Sequence, residues 1–314
     1  MQSHLFQTGQ TELHGSLVAL NSMQSRLRES RASGLVEVRV GPTRQIMIVY
    51  ANGVQTGSYL LENETSRPFH IAELTTLWGG APFSVSMVTL PDRAGRAVWL
   101  IVESQKGEEI EIHNTVEWTK RLDEWKAEEF SGAIEIASKS LQGFTAIHKG
   151  VILDSEAVFF NGQGFENALP PQFDTRESWK VTKYSPLKTS NSWKSLTLRF
   201  SAARWVASAL ARFEAIAGSK FLQVVDREMK LLIEPWQWKI AVDGASIADE
   251  HFFATTEATA HAYRALLMGL GAQMGFVIGN VLTQRVLNEI FTELDHDQRA
   301  TLETYRLIPA AFSN

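Results

Sequence analysis

The chain has no cysteine. That one absence removes disulfides, thiolate nucleophiles, cysteine-ligated zinc and iron–sulfur clusters from consideration. Basic charge is nowhere in excess either: residues 1–110 carry 9 basic and 10 acidic groups, 111–203 carry 11 and 12, and 204–314 carry 10 and 13. Binding to a phosphate backbone draws its affinity from clustered lysine and arginine, so no nucleic-acid partner is expected. Long apolar runs are scarce. The one stretch with the length of a spanning helix, Ala262 to Leu282, contains Arg264, Gln273 and Asn280, and it reads as a buried helix of a soluble domain with no membrane span. Met1 to Leu13 is polar and has no basic region followed by an apolar run. A cytoplasmic location is therefore the expectation. Low-complexity tracts are missing, and the composition, 44% apolar and 21% charged, is that of an ordinary globular protein.

What the chain does contain is a pattern written twice. Leu17, Leu20, Met23 and Leu27 recur at helical spacing and stop at Ser33-Gly34. An alternating run from Leu35 to Val40 follows, then a hairpin at Gly41-Pro42, the run Ile46 to Tyr50, and a turn at Asn52-Gly53 into Val54 to Leu60. After these the spacing predicts a helix over Ile71 to Leu77 and strands over Phe83 to Leu90 and Ala97 to Glu103. About 98 residues later the order returns, with a helix over Val116 to Phe130, Ser131-Gly132, strands from Gly132 to Ala137 and Gly143 to His148, and a turn at Lys149-Gly150. Strands are predicted at Val151 to Phe159, Ser178 to Tyr184 and Trp193 to Phe200, with a loop over Asn161 to Thr175.

Helix, Ser-Gly, strand, hairpin, strand, tight turn and strand is an order that resembles the PATAN domain. The residues carrying the likeness are Ser33-Gly34-Leu35-Val36-Glu37-Val38 with Asn52-Gly53-Val54, and Ser131-Gly132-Ala133-Ile134-Glu135-Ile136 with Lys149-Gly150-Val151. The resemblance implies a protein-interaction element of bacterial signalling chains, without known catalysis.

From Ser201 onward the periodicity becomes helical. Trp205, Ala209, Phe213 and Ile216, then Phe221, Val224, Val225, Met229 and Leu232, mark one or two helices with a break at Gly218 and a stop at Pro235. Trp236 to Val242 alternates like a short strand, which puts Trp236 and Trp238 on one face as candidates for a ligand slot or an interface. A block of helices is predicted over Thr256 to Leu294. Within it Gly271, Gly275 and Gly279 are four apart, and small residues on one helical stripe admit another backbone, either a neighbouring helix of the same domain or a second subunit. Asp249, Glu250, His251, Glu257 and His261 are the only grouping whose residue types suit a metal, although a second metalloprotease histidine is missing and solvated groups at a helix start explain them as well. Gly269-Leu270-Gly271 and Gly162-Gln163-Gly164 lack the rest of a phosphate loop. No Ser-His-Asp context surrounds Ser138, Ser140 or Ser219.

These readings predict an α+β chain: a first module over 1–110, its repeat over 111–203, each a helix with an antiparallel meander, and a mostly helical domain over 204–314. The expected function is a non-catalytic, cofactor-free signalling or regulatory scaffold that binds a protein partner and self-associates. Two other functions fit the same residues. One is a ligand sensor with a pocket near Trp236 and Trp238 where the second module meets the helical domain; the other is a metal-dependent hydrolase using Asp249, His251, Glu257 and His261.

Overall fold

The helix that opens the first module ends where its apolar stripe ends, and the way it ends positions everything after it. The computed structural model describes residues 11–14, 16–41, 43–62, 65–74, 83–139, 141–168, 178–187 and 189–309. In chain order the first module comprises β1 (Thr11–His14), α1 (Leu17–Ser30), β2 (Gly34–Val40), β3 (Arg44–Ala51), β4 (Val54–Glu62), β5 (Thr65–Pro68) and β6 (Phe83–Thr89). Then come α2 (Asp92–Val102), β7 (Ser104–Ile112), α3 (Thr115–Ala127), β8 (Gly132–Ala137), β9 (Gln142–His148), β10 (Val151–Phe160), β11 (Phe165–Glu166) and β12 (Trp179–Pro186). Two six-stranded antiparallel sheets result, ordered β1-β6-β2-β3-β4-β5 and β7-β12-β8-β9-β10-β11. Taken in chain order, each sheet has the same sequence of strands and the same neighbours.

Both sheets are assembled around one local device. At the end of α1, Arg31 takes a left-handed conformation (φ 50°) and the Ala32 N–H reaches back to the Leu27 carbonyl at 3.1 Å. At the end of α3, Glu129 does the same (φ 51°), and the Phe130 N–H reaches the Trp125 carbonyl at 2.9 Å. The following serine then accepts a hydrogen bond from the distant hairpin turn: Asn52 N–H to Ser33 Oγ at 3.0 Å, and Lys149 N–H to Ser131 Oγ at 2.9 Å. The turns themselves have two successive positive φ values, 48° and 82° at Asn52-Gly53 and 49° and 74° at Lys149-Gly150, the geometry that matches strand twist. Their glycine N–H groups donate to Ala32 O and Phe130 O. Finally, a side chain at Gly34 would collide with the Val88 carbonyl, and one at Gly132 with the Tyr184 carbonyl.

α1 covers one face of the first sheet through Leu20, Met23 and Leu27 against Val36, Val38, Ile46 and Ile48. α3 covers one face of the second through Trp118 and Trp125 against Ile134, Ile136, Ile147 and Val181. The remaining faces are served by α2, which touches β3 of the first sheet and β7, β8, β9, β10 and β12 of the second. Nearly every α2 side chain is therefore buried, Val98, Trp99, Leu100, Ile101 and Val102 included.

Three sequence expectations are corrected here. Ala97–Val102 lies in the helix α2 and Glu103 caps it: over its whole length α2 is amphipathic, with Asp92, Arg93 and Arg96 on one side, but its last part, Ala-Val-Trp-Leu-Ile-Val, is uniformly apolar and taken alone shows no 3.6-residue period. Trp193 to Phe200 lies in a helix too, α4 (Asn191–Ala217); its apparent alternation arises because polar Arg199 is buried. The sheet boundary also moves, since Ser104–Ile112 forms the edge strand of the second sheet. Of the predicted helix at Ile71, a 3-10 turn over Ile71–Glu73 is seen; residues 75–82, like Pro42 and residues 169–175 of the predicted loop, lie outside the described residues.

The chain divides into two compact units, Met1–Trp193 and Lys194–Asn314, so both sheets share one unit. The second unit continues with α5 (Ser219–Ile233), the hairpin β13 (Ile240–Asp243) and β14 (Ser246–Asp249), α6 (Thr256–Ile278), α7 (Asn280–Glu293) and α8 (His296–Thr304). Its core gathers Trp205, Phe213, Met229, Leu266, Leu270 and Met274, and Asp295 caps α8 with a reciprocal Gln298. Among the described residues no helix is long and apolar enough to cross a membrane.

The close approach at Gly132 is testable. Gly132→Ala forces a methyl group onto a backbone carbonyl that cannot rotate away, and urea unfolding is expected to show a loss of about 2 kcal/mol. Gly164→Ala, where nothing lies within 4 Å, should change stability by less than ~0.5 kcal/mol. Equal stabilities for the two variants would remove the device from the account of this fold.

Candidate functional site

All of the candidate residues from the sequence lie in the second unit, and the structure sorts them into three groups. The first is aromatic. α5 ends at Ile233, a 3-10 turn over Glu234–Trp236 containing Pro235 follows, and Gln237 comes next with φ 57°. This left-handed step, and not a strand, brings the two tryptophans together: their rings are stacked, 5.2 Å between centroids and 10° apart in plane. His261, from the exposed side of α6, meets both rings edge-on at 5.2 and 6.1 Å. Trp238 is half-buried and also contacts Phe253 at 6.4 Å, and Phe253 contacts His251 at 4.5 Å. Trp236 is 54% exposed. The stacked pair leaves no slot between its rings, so the surface available to another molecule is the outer face of Trp236, flanked by His261.

That platform begins a longer apolar strip. Along α6 the exposed and half-exposed positions His261, Ala265, Met268, Ala272 and Phe276 follow at spacings of 4, 3, 4 and 4, one side of a helix. Met268 is 48% exposed and Phe276 91%. Val281, at the start of α7, is 87% exposed. On α5, which packs beside α6 through Leu232 and Met229 at Gly269, Phe221, Val224 and Leu231 are exposed as well. Contiguous apolar surface of this kind on a water-facing helix marks a contact site more often than chance placement does.

The glycines form the second group, and here the expectation of one stripe is corrected. Gly271 is buried within α6. Gly275 faces the Asn280 side chain of the same chain, which fills the space a side chain would need. Gly279 is not helical: with φ 83° it ends α6 and begins α7. The small residue that does admit a neighbouring helix is Gly269, whose Cβ would approach Leu232 Cδ1 to 2.8 Å.

The third group is the acidic and histidine cluster. Asp249 is buried and already committed: its carboxylate accepts from Arg199 Nε at 2.8 Å, the Tyr263 hydroxyl at 2.9 Å and the His251 N–H at 2.9 Å. Arg199 Nη2 also donates to the Asp249 carbonyl at 3.0 Å. His251 Nδ1 accepts from the Lys239 N–H at 3.4 Å, His261 serves the tryptophans, and Glu257 sits in the first turn of α6. Among the described residues no group of three or more His, Cys, Asp or Glu side chains is placed to hold a metal ion. The metal-site reading of Asp249, His251, Glu257 and His261 is thereby corrected: an arginine and a tyrosine occupy the carboxylate that was to anchor it. Neither Arg199 nor Tyr263 has a local sequence signal for this role: they stand 50 and 14 residues from Asp249, and the strand expected over Trp193 to Phe200 puts Arg199 at a polar position.

The role assigned to Asp249 can be measured. Arg199→Met leaves its carboxylate buried without a cation and is expected to cost about 3–5 kcal/mol in urea unfolding. Adding Asp249→Leu should restore part of that loss, because a buried pair replaced whole costs less than a pair broken. A single variant within ~1 kcal/mol of wild type would refute the assignment. No protein-family model, no curated protein and no solved structure matches the chain.

Proposed function

We propose that this chain is a non-catalytic protein-interaction scaffold of a bacterial signalling or regulatory system, working in the cytoplasm without a cofactor, and that its contact surface is the apolar face of α5 and α6. The observation that carries the reading is Phe276, 91% exposed at the end of a strip that also holds Met268 and the Trp236 platform. Folding gains nothing from an apolar ring in water; association does. A second support is the pair of Ser-Gly devices. The residues on which the PATAN resemblance rests, Ser33-Gly34 with Asn52-Gly53 and Ser131-Gly132 with Lys149-Gly150, make the same hydrogen bonds in both sheets, in keeping with a duplicated interaction module.

A small-molecule reading keeps one observation in its favour, the half-exposed indole of Trp236 stacked on a second tryptophan. A planar ligand on that face would quench tryptophan emission, and Trp236→Ala would abolish the quenching.

The scaffold reading is tested with Phe276→Asp. At so exposed a position the change should alter folding stability by less than ~0.5 kcal/mol, yet lower partner affinity at least about 30-fold if the ring is an interface anchor. The full chain and the variant are used as bait in lysate of the source organism, with circular dichroism as the folding control. Partners retained by wild type and lost by the folded variant are expected. The same set of partners on both baits would refute the contact surface.

A further inference from the structure

We infer that the occupant of this face is a second copy of the chain, paired about a two-fold axis beside Met268 with the two α6 helices antiparallel. The inference rests on the scaffold reading and narrows it to one partner. In an isologous contact each residue meets the image of another, so the surface must complement itself. The strip on α6 does so in register. Its centre falls at Met268 and Gly269, and an antiparallel copy turned about that point places position 276 opposite position 261, roughly 11 Å of helix rise to either side. The most exposed ring of one copy, Phe276, thus lands on the aromatic platform of the other, Trp236 with His261 against Trp238. An apolar ring and a half-exposed indole with an imidazole edge are chemically matched, and aromatic anchors of this type dominate interface energetics.

Three further features agree with the pairing. Ala265 and Ala272 lie between the centre and the ends of the strip, so on either side of the Met268 contact at the axis the facing positions are small. From Ala265 to Ile278 the helix carries no ionisable side chain, so along this segment of α6 a symmetric partner brings no like charges together. Phe221, Val224, Leu231, Trp236, Met268 and Phe276 are between 41% and 91% exposed, an apolar area of the order that one partner contributes to an interface of standard size.

The absence of cysteine makes the register directly testable, since any introduced thiol is the only one in the chain. Light scattering of wild type is expected to give twice the chain mass of 35.1 kDa, and Phe276→Asp to weaken the dimer at least about 30-fold. Ala265→Cys and Ala272→Cys are then prepared separately, mixed and mildly oxidised. Positions 265 and 272 face each other in the antiparallel register, so the mixture should form a disulfide-linked pair far faster than either variant alone. Fast linkage within the Ala272→Cys variant alone would overturn the register. A wild type that stays monomeric at tens of micromolar, or a dimer unmoved by Phe276→Asp, would overturn the inference. If wild type is monomeric while lysate partners are still lost by Phe276→Asp, the second copy fails and the scaffold reading stands; if wild type and variant also capture the same partners, both fail.

Discussion

Two backbone carbonyls hold the first unit in its shape. Val88 O and Tyr184 O occupy the space where a side chain at Gly34 or Gly132 would stand, so β6 and β12 run against β2 and β8 at a distance that only glycine permits. The neighbouring serine turns this proximity into a fixed arrangement. Ser33 and Ser131 each receive an N–H from a hairpin turn about eighteen residues ahead, and the helix before them is closed off by a left-handed residue. Helix end, central strand and hairpin tip therefore meet at one point in each sheet. In the first sheet the knot extends one step further: Ser33 Oγ donates to Asp92 at 2.6 Å, at the start of α2.

α2 is where the sheets become one unit, and its polar residues are as constrained as its apolar ones. Arg96 forms a buried pair with Glu156 at 2.9 Å, and Arg93 donates to the carbonyls of Asp154 and Ala157. These contacts fall on the stretch of β10 where the register shifts between Leu153 and Val158. The bulge re-aims Glu156 and leaves carbonyls that the two arginines satisfy. Just past the other end of α2, Glu103 accepts from the Tyr59 hydroxyl at 2.7 Å, from Ser190 Oγ at 3.0 Å and from the Ser192 N–H at 2.7 Å. Burial, with the Glu103 charge adding to it, pushes the Tyr59 hydroxyl well above the ordinary tyrosine range. It stays protonated and donates to the carboxylate across any physiological pH.

How much of this could be read from the residues depends on how each element is covered. α1, covered on one side only, shows its helical period, and the tight turns announce themselves through Asn52-Gly53 and Lys149-Gly150. The mixed α+β class and the antiparallel sheets follow from such signals. α2 has its polar residues, Asp92, Arg93 and Arg96, confined to its first half, so its apolar second half taken alone reads as a strand; in α4 the buried Arg199 mimics the polar position of an alternating strand. In the candidate site the tryptophans come together as expected, but through a left-handed turn at Gln237 instead of a shared strand face. Nothing in the spacing of the glycines distinguishes Gly269, pressed on α5, from Gly279, which breaks the helix. That difference is set by φ and by the neighbouring chain. Asp249 stands out by its chemistry, yet its partners Arg199 and Tyr263 stand 50 and 14 residues away, and no local pattern joins them.

The two units treat apolar surface differently, and this difference carries the functional argument. In the first, α2 between the sheets is buried almost to the last residue, and among the described residues the apolar side chains left exposed, such as Val18, Val54, Val116 and Val151, are small and contain no aromatic ring. In the second, the break at Gly279 turns the chain so that Thr283, Val286 and Leu287 of α7 enter the core while Val281 points outward. Phe276, one turn before the break, is likewise carried past the edge of the packed region. Among the described residues no element covers either one, and folding stability does not account for their apolar character, because a polar side chain there would serve the helix equally well. What an exposed ring at that corner changes is the free energy of meeting another surface. The strip behind it, with Met268 at its middle, an alanine to either side and an aromatic platform at its far end, has the form of a surface that another helix completes.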